Sequence, residues 1–171
     1  MRQPRVRLLA MAGSVLAAGA IALSGVVAAT ASPHTSHGVS GIEHFQLVST
    51  SSSPKTNGHL IAYGVFTKAG TDVVTGNLTD IFKFRNGTIH VHHSAGKGTQ
   101  RFNPHTCLLQ ISLHGTYRLV SGTGRYAGIS GHGTYRLSIL AIGARSHGKC
   151  TQRKPPVAFQ QIIRASGPVH L

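Results

Sequence analysis

The stretch HGTYRLVSGTGRYAGISGHGTYRL, residues 114–137, carries the same six residues twice, eighteen positions apart, around a glycine-dense middle. From Cys107 to Leu119 every second residue is Cys107, Leu109, Ile111, Leu113, Gly115, Tyr117 and Leu119, while those between include Gln110, Ser112, His114, Thr116 and Arg118. A period of two is the pattern of a long strand with one buried face. The second copy keeps the phase: Gly133, Tyr135, Leu137, Ile139 and Ala141 share one face, and His132, Thr134, Arg136 and Ser138 the other. Tyr117 and Tyr135 are therefore expected to point inward, and both His/Arg pairs to meet solvent. The middle, residues 121–131, supplies the glycines that a strand-joining excursion needs. Its Gly122-Thr123-Gly124 has neither P-loop nor dinucleotide-binding spacing.

The chain on either side is built alike, from short alternating runs divided by Gly, Ser, Pro and Asn, with no long helical period. Strands are expected near 43–50, 59–67, 71–78, 80–85, 88–94, 107–119, 132–142 and 157–165. Eight short antiparallel strands suit a closed barrel; a β-sandwich is the competing arrangement.

Ahead of this lies a different kind of sequence. Arg2, Arg5 and Arg7 precede an apolar run from Leu8 to Ala29, and Ala29-Thr30-Ala31 offers a small-residue cleavage site, so residues 1–31 read as a signal peptide. Residues 32–41 then read as a flexible tail and 42–171 as the β domain. Secretion to the outside follows, with no stable membrane insertion after cleavage. In such an oxidising compartment the only two cysteines, Cys107 and Cys150, are expected to form a disulfide.

The whole chain has a net charge of +14, and removing the three leader arginines leaves +11. That charge favours polyanions such as an anionic envelope polymer. The aromatic-rich basic signature of a specific nucleic-acid module is absent.

For chemistry, the informative stretch is DIFKFRNGTIHVHHS, residues 80–94. Asn86-Gly87 is a strong two-residue hairpin signal, which predicts Phe84 opposite Ile89, Phe82 opposite Val91 and Asp80 opposite His93. The inward face would hold Asp80, Phe82, Phe84, Ile89, Val91 and His93. An inward carboxylate needs a partner, and His93 can supply one, either as a rim pair or as an acid/base dyad in which Asp80 orients the imidazole and His93 moves the proton. His90 and His92 share the solvent face with Lys83 and Arg85, where neighbouring cations disfavour a bound metal. Neither a metal nor a cofactor is expected. Asn77-Leu78-Thr79 and Asn86-Gly87-Thr88 match glycosylation sequons.

The glycine-aromatic-glycine stretch GTGRYAGISG (122–131) resembles the hairpin of the allene oxide cyclase barrel-like and dirigent-like proteins, and the ending KPPVAFQQIIRASGPV (154–169) is similar to that of their small secreted actinobacterial members. The resemblance implies an eight-stranded antiparallel barrel with an interior cavity, and allows self-association through outer faces. The group includes cyclases of fatty-acid-derived epoxides and proteins that steer phenoxy-radical coupling. The plant cyclases' catalytic glutamate and asparagine do not fall on matching positions, so no catalytic residue is carried over. The expectation is a secreted binding or structural barrel for a small apolar ligand or an envelope polyanion, with Phe82, Phe84, Tyr117 and Tyr135 facing the ligand. The alternative is a cofactor-free isomerase or cyclase using Asp80 and His93.

Overall fold

Alternation organises the whole of the computed structural model, which describes residues 38–53, 58–151 and 153–171. The expected leader lies outside the described residues, as does the tail up to residue 37. The strands are β1 (Ser40–Ser49), β2 (Gly58–Tyr63), β3 (Lys68–Gly76), β4 (Thr79–Phe84), β5 (Gly87–His93), β6 (Lys97–Asn103), β7 (Leu108–Gly122), β8 (Ser130–Ile142), β9 (Ala144–Ser146), β10 (Lys149–Thr151) and β11 (Ala158–His170). Hydrogen-bonded neighbours run β5-β4-β3-β2-β1-β11-β8-β7, and a β5–β7 pairing closes these eight strands into an antiparallel barrel. The barrel rather than the sandwich is the arrangement adopted.

The tail ends sooner than its composition suggests. Val39 exchanges two 2.9 Å backbone hydrogen bonds with Leu171, and Ser40 begins β1 with its hydroxyl 2.7 Å from His170 Nδ1. Paired backbone outweighs the local Ser/Gly composition here.

Three strands outlast the barrel wall. β7 pairs with β5 only over its second half, up to His93 opposite Tyr117, whereas Leu108 to His114 pair with β6. β8 and β11 follow β7 outward, with Leu109 opposite Ala141 and Ala141 opposite Phe159. Sequence reading misses three strands, the three-residue β9 and β10 and the longer β6, whose KGTQRFN is exposed along its whole length and has no apolar alternation to find. The Cys107–Cys150 disulfide, with Cα atoms 5.5 Å apart, ties β10 to the start of β7.

Inside the barrel the inward stripes meet. Phe45 lies 5.2 Å from Phe82 and 6.0 Å from Tyr117 between ring centroids. The excursion between the repeats folds back as a 3-10 turn, Gly124–Tyr126. It plugs one end of the barrel with Tyr126, 5.0 Å from Phe84 and 5.1 Å from Phe66. Each such ring contributes ~2–3 kcal/mol by leaving water.

The hairpin register differs from the expected one by two residues. Phe84 faces Gly87, Phe82 faces Ile89 and Asp80 faces Val91, with Arg85 and Asn86 forming the turn. The turn is set by what it touches. Asn86 O accepts the Arg125 N–H, and Gly87 adopts φ +148° where any Cβ would run into the Thr123 carbonyl. A shift of two keeps the inward set unchanged, because the side-chain period is two.

Candidate functional site

All three carboxylates of the chain, Glu43, Asp72 and Asp80, lie on inward positions. Glu43 is in phase with Phe45 and Leu47 on β1 and sits near the plugged end, where it is fully buried. Its Oε2 accepts the Phe66 N–H at 3.0 Å. Burial pushes its pKa up, against backbone hydrogen bonds from Phe66 and Val65. Burial, and then the charge of Glu43, pushes Tyr117 up to about 12.

The other two acids lie toward the open end. Asp80 Oδ2 is 3.3 Å from His93 Nε2. With Asp80 opposite Val91, His93 reaches it diagonally rather than directly across the ladder. His93 Nδ1 is 3.1 Å from Ser94 O, an oxygen that can only accept, so Nδ1 carries a proton. Tyr135 closes the group: its hydroxyl donates to Ser94 O at 2.9 Å, and its ring stands edge-on to His93 at 5.9 Å. Burial raises the Asp80 pKa, and the His93 charge opposes the rise.

Asp72 is the member of this group that sequence reading misses. It sits opposite Phe82, one inward step along β3 from Val74, which faces Asp80. Asp72 is 6% exposed, and its Oδ1 has no hydrogen-bond partner. Burial, and then the neighbouring Asp80 charge, pushes its pKa up to about 7. A carboxyl that titrates near neutrality can take or give a proton at working pH. The run Thr71-Asp72-Val73-Val74 hides it, because two adjacent valines leave the inward phase undetermined.

The residues expected to face a ligand divide. Phe82, Phe84 and Tyr117, at 5%, 7% and 5% exposure, pack against other core rings instead, because inward aromatics from strands remote in sequence fill the barrel. Tyr135 lines an open concavity together with Ser94, Leu113 and Gly115. An apolar hollow lies where β7, β8 and β11 outlast the wall: about 600 Å³, lined by Phe102, Leu109, Ala141, Pro156, Phe159 and the disulfide, with Lys154 also in its lining. Phe159 also lines a smaller hollow of about 130 Å³ that reaches Asp72. His90 and His92 point outward, and among the described residues no group of three or more metal-ligating side chains assembles.

No family model, curated protein or solved structure matches this chain. The barrel is the fold that the resemblance to allene oxide cyclase-like proteins implies. A shared barrel brings neither a shared family nor a shared function with it. The disulfide suits an oxidising, extracellular-type environment.

Proposed function

We propose that this chain is a secreted binding module that holds a small, mainly apolar molecule at the open end of its barrel. The supporting observation is a change along one stripe. Tyr117 and Leu119 on β7 are buried, yet Leu113, Ile111 and Leu109 further along the same face are only half-buried. Leu137 and Ile139 on β8 repeat the change. An apolar face left partly open invites an apolar partner, and a hollow of about 600 Å³ lies in the range of small-molecule sites. Lys154 in its lining suits a ligand with an anionic head, such as a fatty acid. The leader over 1–31 supports export.

A fluorescent fatty acid should bind the disulfide-intact protein, and Phe159→Arg should weaken binding at least tenfold. Unchanged binding in that variant would move the ligand elsewhere.

The carboxyl of Asp72, beside the smaller hollow, favours a second reading as a cofactor-free isomerase or cyclase. There Asp72 or the Asp80–His93 pair would transfer the proton. Turnover of a bound epoxide or polyene that is lost in Asp80→Asn or His93→Gln would select that reading. Turnover unchanged in both variants and in Asp72→Asn would sink it.

A further inference from the structure

The HGTYRL repeat does something on the outer surface that the interior does not use. β7 and β8 are antiparallel neighbours in a register that sets His114 opposite Arg136, Arg118 opposite His132, and Thr116 opposite Thr134 between them. An identical six-residue phrase on two antiparallel strands makes a quartet with local two-fold symmetry: one His/Arg pair on each side of a threonine pair. The flanking strands extend both sides. Lys97 on β6 faces His114, and Arg164 on β11 faces Arg136. Lys97, His114, Arg136 and Arg164 thus form one unbroken row across four strands. His92 on β5 faces Arg118, so His92, Arg118 and His132 form a second row across three. Between the rows run the hydroxyls of Thr116, Thr134 and Ser166.

Adjacent strands lie ~4.8 Å apart, and alternate residues on a strand ~6.7 Å apart. Like charges placed directly across a ladder destabilise it. No acid on this surface relieves them, since Glu43, Asp72 and Asp80 all sit on inward positions. Among the described residues the sole ion pair is His93–Asp80, on the inward side. The face is also grooved. A concavity of about 710 Å³ brings together Lys97, His114 and Arg136 with Ser112, Thr116 and Thr134, and it also touches Leu113, Gly115 and Tyr135 of the inward phase. A second, of about 620 Å³, holds Arg118 and His132 with Ser130 and His170 around an apolar floor that includes Ile42, Pro168 and Val169. Each His/Arg pair of the repeat therefore lines its own hollow.

We propose that this face of β6, β7, β8 and β11 binds a phosphodiester-linked sugar or polyol chain of the cell envelope, its phosphates seated along the Lys97–Arg164 row. Arginine forks fit phosphate oxygens two at a time, and the hydroxyl row offers donors to the remaining phosphate oxygens and to the sugar or polyol hydroxyls. Single-stranded nucleic acid carries the same phosphates, but its binding surfaces add aromatic side chains on which bases stack. The outward positions of β6, β7, β8 and β11 carry no Phe, Tyr or Trp; the one exposed ring near the row is Tyr63 on β2, stacked on His44 in a small hollow shared with Arg136 and Arg164, a single platform where a strand of bases needs several. The site is separate from the apolar hollow at the open end and does not depend on it.

The test is titration of the disulfide-intact protein with poly(glycerol phosphate) at about 0.15 M salt, beside a single-stranded DNA of equal phosphate number. Two double variants remove the same charge. Arg136→Gln with Arg164→Gln empties the β8–β11 half of the row, and Lys68→Gln with Lys83→Gln neutralises exposed positions on β3 and β4, across the barrel. The first should lower affinity at least tenfold and reduce the salt slope by about two, while the second should change affinity less than threefold. All four positions are solvent-exposed, and each variant's melting temperature is checked against the parent. Equal losses in the two double variants would overturn the proposal in favour of bulk charge. Tighter binding to the DNA than to the polyol phosphate, or no binding to the polyol phosphate, would overturn it as well.

Discussion

The two ends of the barrel receive the same inward stripes and finish them differently. At one end the chain folds back between the repeats and lowers Tyr126 and Ile129 onto the core, leaving them 1% and 3% exposed. At the other, β7, β8 and β11 run on past the wall, and their inward residues, the small Ala141 aside, stay half-covered. Alternation sets which way a side chain points; a separate covering element sets whether it is buried. The plugged end is thereby structural, and the open end has both an apolar hollow and the titratable group of Asp72, Asp80 and His93.

The contrast breaks most sharply at the plug. Tyr126→Ala should cost ~3–5 kcal/mol of unfolding free energy, whereas Phe159→Ala at the open end should cost ~1 kcal/mol while weakening apolar-ligand binding. Chemical denaturation of both variants measures the gap, and equal losses would remove the distinction between the ends. Next in size is the disulfide, whose cysteines are 43 residues apart. Replacing Cys107 and Cys150 together by serine should cost ~3–4 kcal/mol in the chain-entropy view. It should also weaken ligand binding, since both cysteines line the apolar hollow.

A smaller effect comes from Asp72. Its folded pKa of about 7 lies above the ordinary 3.8, so the folded state holds this proton more tightly than the unfolded chain. The contribution to stability is fully present below about pH 4 and is lost as pH rises through about 7. Asp72→Asn cannot lose a proton, so it should gain ~2 kcal/mol over the parent at pH 8 and nothing at pH 4. Melting curves at the two pH values read this directly; an equal effect at both would show that the carboxyl is ionised throughout.

Much of the barrel was legible because its long strands carry an unbroken period of two. The inward direction of Tyr117, Tyr135, Asp80 and His93 followed from that period, and it survived the two-residue error in hairpin register for the same reason. The error itself came from outside the hairpin: Arg125 and Thr123 hold the turn at Asn86 and Gly87, and nothing within residues 80–94 records that contact. The filling of the barrel by Phe82, Phe84 and Tyr117 was equally hidden. Whether an inward ring meets a ligand or another ring depends on strands far away in sequence. β6 left no trace because it buries nothing, and Asp72 because its neighbours made the phase ambiguous. The repeat was visible at once, but its outer quartet required the pairing of β7 with β8.

β6 has one further consequence. Every other strand of the nine-stranded sheet has neighbours on both sides, but among the described residues β6 pairs with β7 alone, so one row of its N–H and C=O groups is open as a template for another chain's strand. It is also short, seven residues, and carries Lys97 and Arg101. Those charges would meet their own kind if two copies aligned edge to edge, which is how sheet proteins keep an open edge from seeding aggregates. The molecule's shelf life in concentrated solution therefore depends on two cations in its least buried strand, and high salt, by screening them, is the condition under which that edge is least protected.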